Sequence, residues 1–135
     1  MPTYVETSAG DCCCGGGGGQ PCCDRTISNT LYMTIASDCA KLDGLVITLT
    51  YDTGDSRWEG YEPPSATWCE VLVNASCQED GKIHVVDIFV NGAPLSLTEI
   101  ESECDPLSVV TEGVQADPEM NSCCPGATFT GTITE

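Results

Sequence analysis

Strict alternation of apolar and polar residues is the first pattern this chain offers. In "NTLYMTIA", residues 29–36, Leu31, Met33 and Ile35 share one face while Tyr32 and Thr34 share the other, the period of a half-buried strand. "LVITLTYD" repeats it with Leu45, Ile47, Leu49 and Tyr51. Between the two, "SDCAKLDG" has the residues of a turn. "DTGDS" closes a hairpin into "RWEGY", which Pro63 and Pro64 terminate because proline donates nothing to a ladder.

"TWCEVLVNASC" places Cys69, Val71, Val73, Ala75 and Cys77 on a single face. At ~3.3 Å per residue its two cysteines stand about 26 Å apart, far beyond the ~7 Å reach of a disulfide, so they take different partners. After the turn "QEDG", "KIHVVDIFV" sets Val86, Ile88 and Val90 against Ile83, Val85 and Phe89, a strand expected to be covered on both faces. "NGAP" is a further turn. "LSLTEIESEC" reads two ways: Ser96 with Glu99 resembles a capping box for one helical turn, and Leu95 with Leu97 suits a strand. "PLSVV" is strand-like, and "ATFTGTITE" sets Phe129 and Ile133 against four threonines. About seven or eight short strands at intervals of about ten residues, with no convincing helix, predict an all-β antiparallel sandwich or flattened barrel. Gly15 to Gly19 offer nothing to pack, so residues 1–24 read as an extended Gly/Cys-rich arm and residues 25–135 as one β domain.

Eleven cysteines in 135 residues change the picture, because that density in one small domain signals covalent or metal stapling. They are Cys12, Cys13, Cys14, Cys22, Cys23, Cys39, Cys69, Cys77, Cys104, Cys123 and Cys124. None has the C-x-x-C spacing of zinc sites. Adjacent residues of an extended backbone point to opposite sides, so the pairs Cys22-Cys23 and Cys123-Cys124 suit two separate disulfides better than one tetrahedral ion. If the first and last strands were parallel neighbours, these two pairs would meet, as disulfides or as a four-thiolate zinc or iron-sulfur site. An odd count leaves a thiol for another chain, a metal or no bond, and the Cys12-Cys13-Cys14 triple is the candidate.

Charge narrows the partners. Twenty-one acidic residues against four basic ones give a net charge of -17, which disfavours nucleic acid and anionic lipid and is compatible with basic protein surfaces, divalent cations or no charged partner at all, the acidity then serving solubility. The opening "MPTYVETSAGD" has neither the basic nor the apolar segment of a signal peptide, so no leader is expected in this chain, and no run is long enough to span a membrane.

Catalytic signals are weak throughout. Asp52-Thr53-Gly54 after an apolar strand has the letters of an aspartic-protease loop, yet D-T-G-D is ordinary hairpin chemistry. Asp52 and Asp55 are candidate calcium ligands. The glycine run lacks the G-K-[ST] ending of a phosphate loop. His84, the sole histidine, has no nucleophile beside it in the sequence and reads as structural. Trp58 and Trp68 read as core before sugar platform, and Asn74-Ala75-Ser76 is a glycosylation sequon only on a eukaryotic secretory path.

The cysteine placement in "CCDRTISNTLYMTI", the lone Cys39, the "RWEG" hairpin and the closing "CCPGATFTGTITE" resemble small cysteine-rich β proteins of tailed bacteriophages, cyanophages among them, and of planctomycete-type bacteria. The resemblance covers residues 22–135. It implies a non-enzymatic virion part, such as a capsid cement, tail or baseplate component, located on a virion or otherwise outside the cell. Its partners would be copies of itself or other subunits, engaged through the N-terminal arm. The alternatives are an extracellular adhesion or ligand-binding module of a bacterial surface and a metal-thiolate structural protein.

Overall fold

A computed structural model describes residues 19–114 and 127–135. Every element among them is a strand: β1 (Gly19–Cys22), β2 (Arg25–Ser28), β3 (Thr30–Ser37), β4 (Val46–Asp52), β5 (Arg57–Glu62), β6 (Val71–Cys77), β7 (Ile83–Val90), β8 (Ala93–Pro94), β9 (Ser96–Cys104), β10 (Leu107–Val114) and β11 (Thr128–Thr134). β1 and β2 form a separate hairpin, and the other nine make one antiparallel sheet in the order β9-β10-β11-β3-β4-β5-β6-β7-β8. That sheet curls until β9 approaches β7, giving a flattened, nearly closed barrel.

Alternation decides which face is inside. Leu31, Met33 and Ile35 of β3, Ile47 and Leu49 of β4, and Val71, Val73 and Ala75 of β6 are all buried, as their period-two spacing predicts. Trp58 seals one end of this core: it is 1 % exposed, donates its indole N–H to the Ser28 carbonyl at 2.9 Å, and meets the Tyr51 ring edge-on at 4.8 Å. Gly60 is buried where neighbouring strands press closest. A Cβ there would stand 2.7 Å from Ile47 Cγ2 and 2.9 Å from the Thr48 carbonyl oxygen.

Turn chemistry sets the strand connections. Asn91 and Gly92 both have positive φ (51° and 82°), which makes β7 to β8 a tight two-residue reversal. Asp52 caps the β4–β5 turn by accepting the Gly54 N–H at 2.8 Å. The segment open to a helical turn, residues 96–104, is strand β9.

Four expectations need correction. The hairpin β1–β2 moves the start of ordered pairing from residue 25 back to Gly19, because Cys23 and Asp24 both take left-handed φ (60° and 55°) and fold the chain back on itself. Strands β3 and β11 are neighbours but antiparallel, so the segments that precede them enter from opposite ends of the sheet. Strand β7 is not covered on both faces, since a bulge opposite Asn74 and Ala75 leaves Val86 unpaired and 42 % exposed. The strand count is also higher than expected, because β1, β2 and β8 are too short to show alternation.

The barrel closes along a seam rather than a ladder. β7 and β9 begin as a continuing hairpin, with the Leu95 N–H donating to the Ile88 carbonyl at 3.0 Å, and then part. Further along, side chains bridge the gap: Ser102 Oγ donates to the Ile83 carbonyl at 2.7 Å, and His84 meets Glu99 at 2.6 Å. A second bulge, at Ile100, lies on the β9 side.

Candidate functional site

The cysteines converge on the seam. Cys22 is joined to Cys77 at the end of β6, and Cys23 to Cys104 at the end of β9, with Cα–Cα distances of 5.9 and 5.5 Å. Because β6 and β9 flank β7 on either side, the path Cys77–Cys22–Cys23–Cys104 is a covalent strap across the open seam. Polar contacts seat it. The Cys23 N–H donates to the Gly81 carbonyl at 2.7 Å. Arg25 donates to the Cys104 carbonyl at 2.7 Å and forks onto the Glu135 carboxylate, which also accepts the Ser28 N–H. The hydrogen bond from Arg25 outweighs partial burial and lowers the Glu135 carboxyl below its ordinary range.

The two adjacent cysteines do serve two separate disulfides, but Cys23 points away from Cys22 in a left-handed turn and not on extended backbone, and the partners differ from those expected. Cys22 and Cys23 are bound to Cys77 and Cys104 and not to Cys123 and Cys124, so they have no thiolates to give a zinc or iron-sulfur site. The parallel pairing on which that expectation rested is not formed, since β3 and β11 are antiparallel. Cys39 and Cys69 are disulfide-bonded too, and Cys69 and Cys77 take different partners as expected. Cys12, Cys13, Cys14, Cys123 and Cys124 lie outside the described residues.

Asp52 and Asp55 do come together, and Glu59 joins them, with carboxylate oxygens of all three within 4.8 Å of one another. Arg57 already sits among these groups, donating to Glu59 at 2.7 Å and standing 3.8 Å from Asp55. The protein thus supplies a cation of its own to two of the three carboxylates, and the calcium expectation gains a ligand set but also a resident competitor. Asp52-Thr53-Gly54 occupies the β4–β5 turn, with Asp52 engaged by the Gly54 N–H. Asn74, the sequon asparagine, is 4 % exposed in mid-strand between Glu59 and Asp87, out of reach of a modifying enzyme once folded.

His84 is held between two carboxylates, Nε2 at 2.7 Å from Asp80 and Nδ1 at 2.6 Å from Glu99. Partial burial disfavours its charged form, but the two hydrogen bonds and the nearby negative charges outweigh that and raise its pKa above 6.5. His84 thus rivets the seam by tying Asp80 to Glu99 of β9.

The outer face carries a feature that alternation alone hides. Tyr61 of β5, Leu72 of β6, Phe89 of β7 and Pro94 of β8 are direct cross-strand neighbours, forming an apolar row on the side away from the core. With Glu70 and Gly92, the first three line an open depression of about 350 Å³. Tyr61 is 53 % exposed and its hydroxyl donates to Glu70 at 2.7 Å, which raises the phenol above its ordinary range. The expected alternative, a Trp58–Trp68 platform, is not built: Trp58 is in the core. The signal in the sequence was a set of apolar residues out of phase with the core on three consecutive strands.

These features define a class: a small, acidic, flattened antiparallel β-barrel with a disulfide strap over its seam. Among the described residues no helix is long and apolar enough to cross a membrane. Compared with known protein families, curated proteins and solved structures, the chain matches none, so the likeness to phage and planctomycete proteins rests on cysteine placement and the threonine-rich closing strand alone.

Proposed function

We propose that this chain is a non-enzymatic structural module of an extracellular assembly, with a virion part such as a capsid cement, tail or baseplate component as the specific reading. The observation that carries it is the strap. Bonds through Cys22 and Cys23 tie the residues just after the N-terminal segment to two separate strands, so a load applied to residues 1–18 is delivered to the barrel through covalent bonds. Disulfides at all six described cysteines fit an oxidising setting outside the cell. In this reading Cys12, Cys13 and Cys14 engage a neighbouring subunit. The test is to isolate the protein from its natural source and compare its sedimentation and intact mass before and after reduction. Co-sedimentation with a particle, and release on reduction, is the expected result. Recovery as a free monomer with metal bound to reduced thiols would overturn it.

A second reading, an adhesion or ligand-binding β module, is favoured by one observation, the exposed row of Tyr61, Leu72 and Phe89. Soluble domains seldom leave such a contiguous patch without a partner.

A further inference from the structure

From the depression on the outer face we infer a docking site for an arginine side chain presented by a basic protein partner. The inference goes beyond the assembly reading and does not depend on it, since a subunit contact and a foreign ligand would use the same chemistry.

The geometry selects the guest. Adjacent strands lie about 4.8 Å apart, so Tyr61 on β5 and Phe89 on β7 stand roughly 10 Å apart on either side of Leu72, two aromatic walls of an open slot with an aliphatic floor. Gly92 keeps one end open, since nothing stands within 4 Å of where its Cβ would be. Glu70 brings a carboxylate to this end, its Oε2 accepting the Tyr61 hydroxyl. Asp87, two residues before Phe89 on β7, stands outside the lining and within the field of Arg57. The slot is thus apolar in its walls and floor and anionic at its Glu70 end.

A guanidinium fits those terms better than the alternatives. It is planar, weakly hydrated, stacks on aromatic faces and forks onto a carboxylate, whereas an ammonium is a compact, strongly hydrated charge. A sugar ring would find one polar group where it needs several. The chain's own balance agrees, because a surface at -17 attracts a basic partner from a distance and rejects an acidic one.

The test uses the full oxidised chain and short capped peptides Ac-Gly-X-Gly-amide, with X arginine, lysine, citrulline or norleucine, and methyl glucoside as a sugar probe. Binding is followed by amide and methyl NMR shifts. Expected is saturable movement confined to Tyr61, Glu70, Leu72, Phe89 and their neighbours with the arginine peptide. Citrulline, which keeps the shape and loses the charge, should bind about tenfold more weakly. Tyr61→Ala, a change of an exposed side chain that leaves the net charge alone, should weaken arginine binding about tenfold, and Glu70→Gln by a similar factor. Shifts scattered over the acidic surface and unchanged in Tyr61→Ala would show nonspecific attraction and overturn the proposal. So would equal binding of norleucine, or preference for the glucoside.

Discussion

Replacing Cys22 by alanine and Cys77 by serine cuts the strap at one bond and leaves Cys23–Cys104 in place. The two bridges close loops of 55 and 81 residues taken singly, but they share the adjacent pair Cys22-Cys23 and so form one circuit. Counting these two bridges and leaving aside the bonds of Cys39 and Cys69, with either intact the other closes the path from Cys77 to Cys104, 27 positions (104 minus 77), plus the short link between the two cysteines. The loop-closure entropy of a circuit of about 28 residues is worth about 3.6 kcal/mol at 25 °C. The companion variant, Cys23→Ala with Cys104→Ser, breaks the same circuit and should lose the same amount despite its longer sequence separation. For a domain of this size that is a fall of roughly 10–18 °C in Tm. Urea unfolding of the oxidised proteins gives the loss, and hydrogen exchange locates it. Amides of residues 84–87 in β7, which have no ladder on the β9 side, should lose protection first in both variants. A loss below about 1 kcal/mol in either, or full protection of those amides while others open, would refute the idea that the two bonds act in series across the seam.

Other outcomes follow from single side chains. His84 has a raised pKa in the folded chain, so its contribution is complete below its unfolded value of 6.5 and is lost as pH rises through the folded value. Asp80, lowered first by the Lys82 backbone N–H and then by His84, contributes above its unfolded value of 3.8 and is lost as pH falls through the folded one. The stability difference between wild type and His84→Gln should therefore be greatest between pH 3.8 and 6.5 and shrink on the alkaline side, as urea titrations across pH would show. Gly60→Ala forces a methyl against the Thr48 carbonyl oxygen and Ile47, and should cost about 1–3 kcal/mol by thermal unfolding, without loss of the strand spectrum. Trp58→Phe leaves the Ser28 carbonyl without its donor and opens a void beside Tyr51; about 2–4 kcal/mol is expected in the same assay.

Sequence carried the fold where one rule acted alone. β3, β4 and β11 were legible because each buries one face and nothing interrupts its period, and β6 because Val71, Val73 and Ala75 keep the period even though Asn74 is buried behind them. β7 misled because a bulge inserts one residue and leaves no mark in composition, so Val86 reads as covered and is exposed, while β9 read equally as a helical turn or a strand. The disulfide partners were unreadable for a different reason. They depend on how the sheet curls to bring the ends of β6 and β9 beside the β1–β2 turn, which the cysteines' positions in sequence do not encode. β1 was hidden by the glycines before it, which have no strand preference, and by a reversal at Cys23 and Asp24 that relies on two residues tolerating left-handed φ without glycine. Of the candidate sites, the Asp52–Asp55 pair was legible as an acidic turn, but Arg57 between the carboxylates became visible only once the hairpin was folded.

The seam has a consequence for how such molecules behave when crowded. Two strand edges with open hydrogen-bonding groups are the usual starting point for one chain to zip onto the next. Here the edges face each other, bridged by His84 to Glu99 and by Ser102 to the Ile83 carbonyl and held by the strap. Bulges at Val86 and Ile100 spoil the register on both sides, and Glu99, Glu101 and Glu103 line β9 with charge. Each edge is the other's guard, so many copies can sit side by side without growing into a fibre, and reduction of the strap exposes both edges at once.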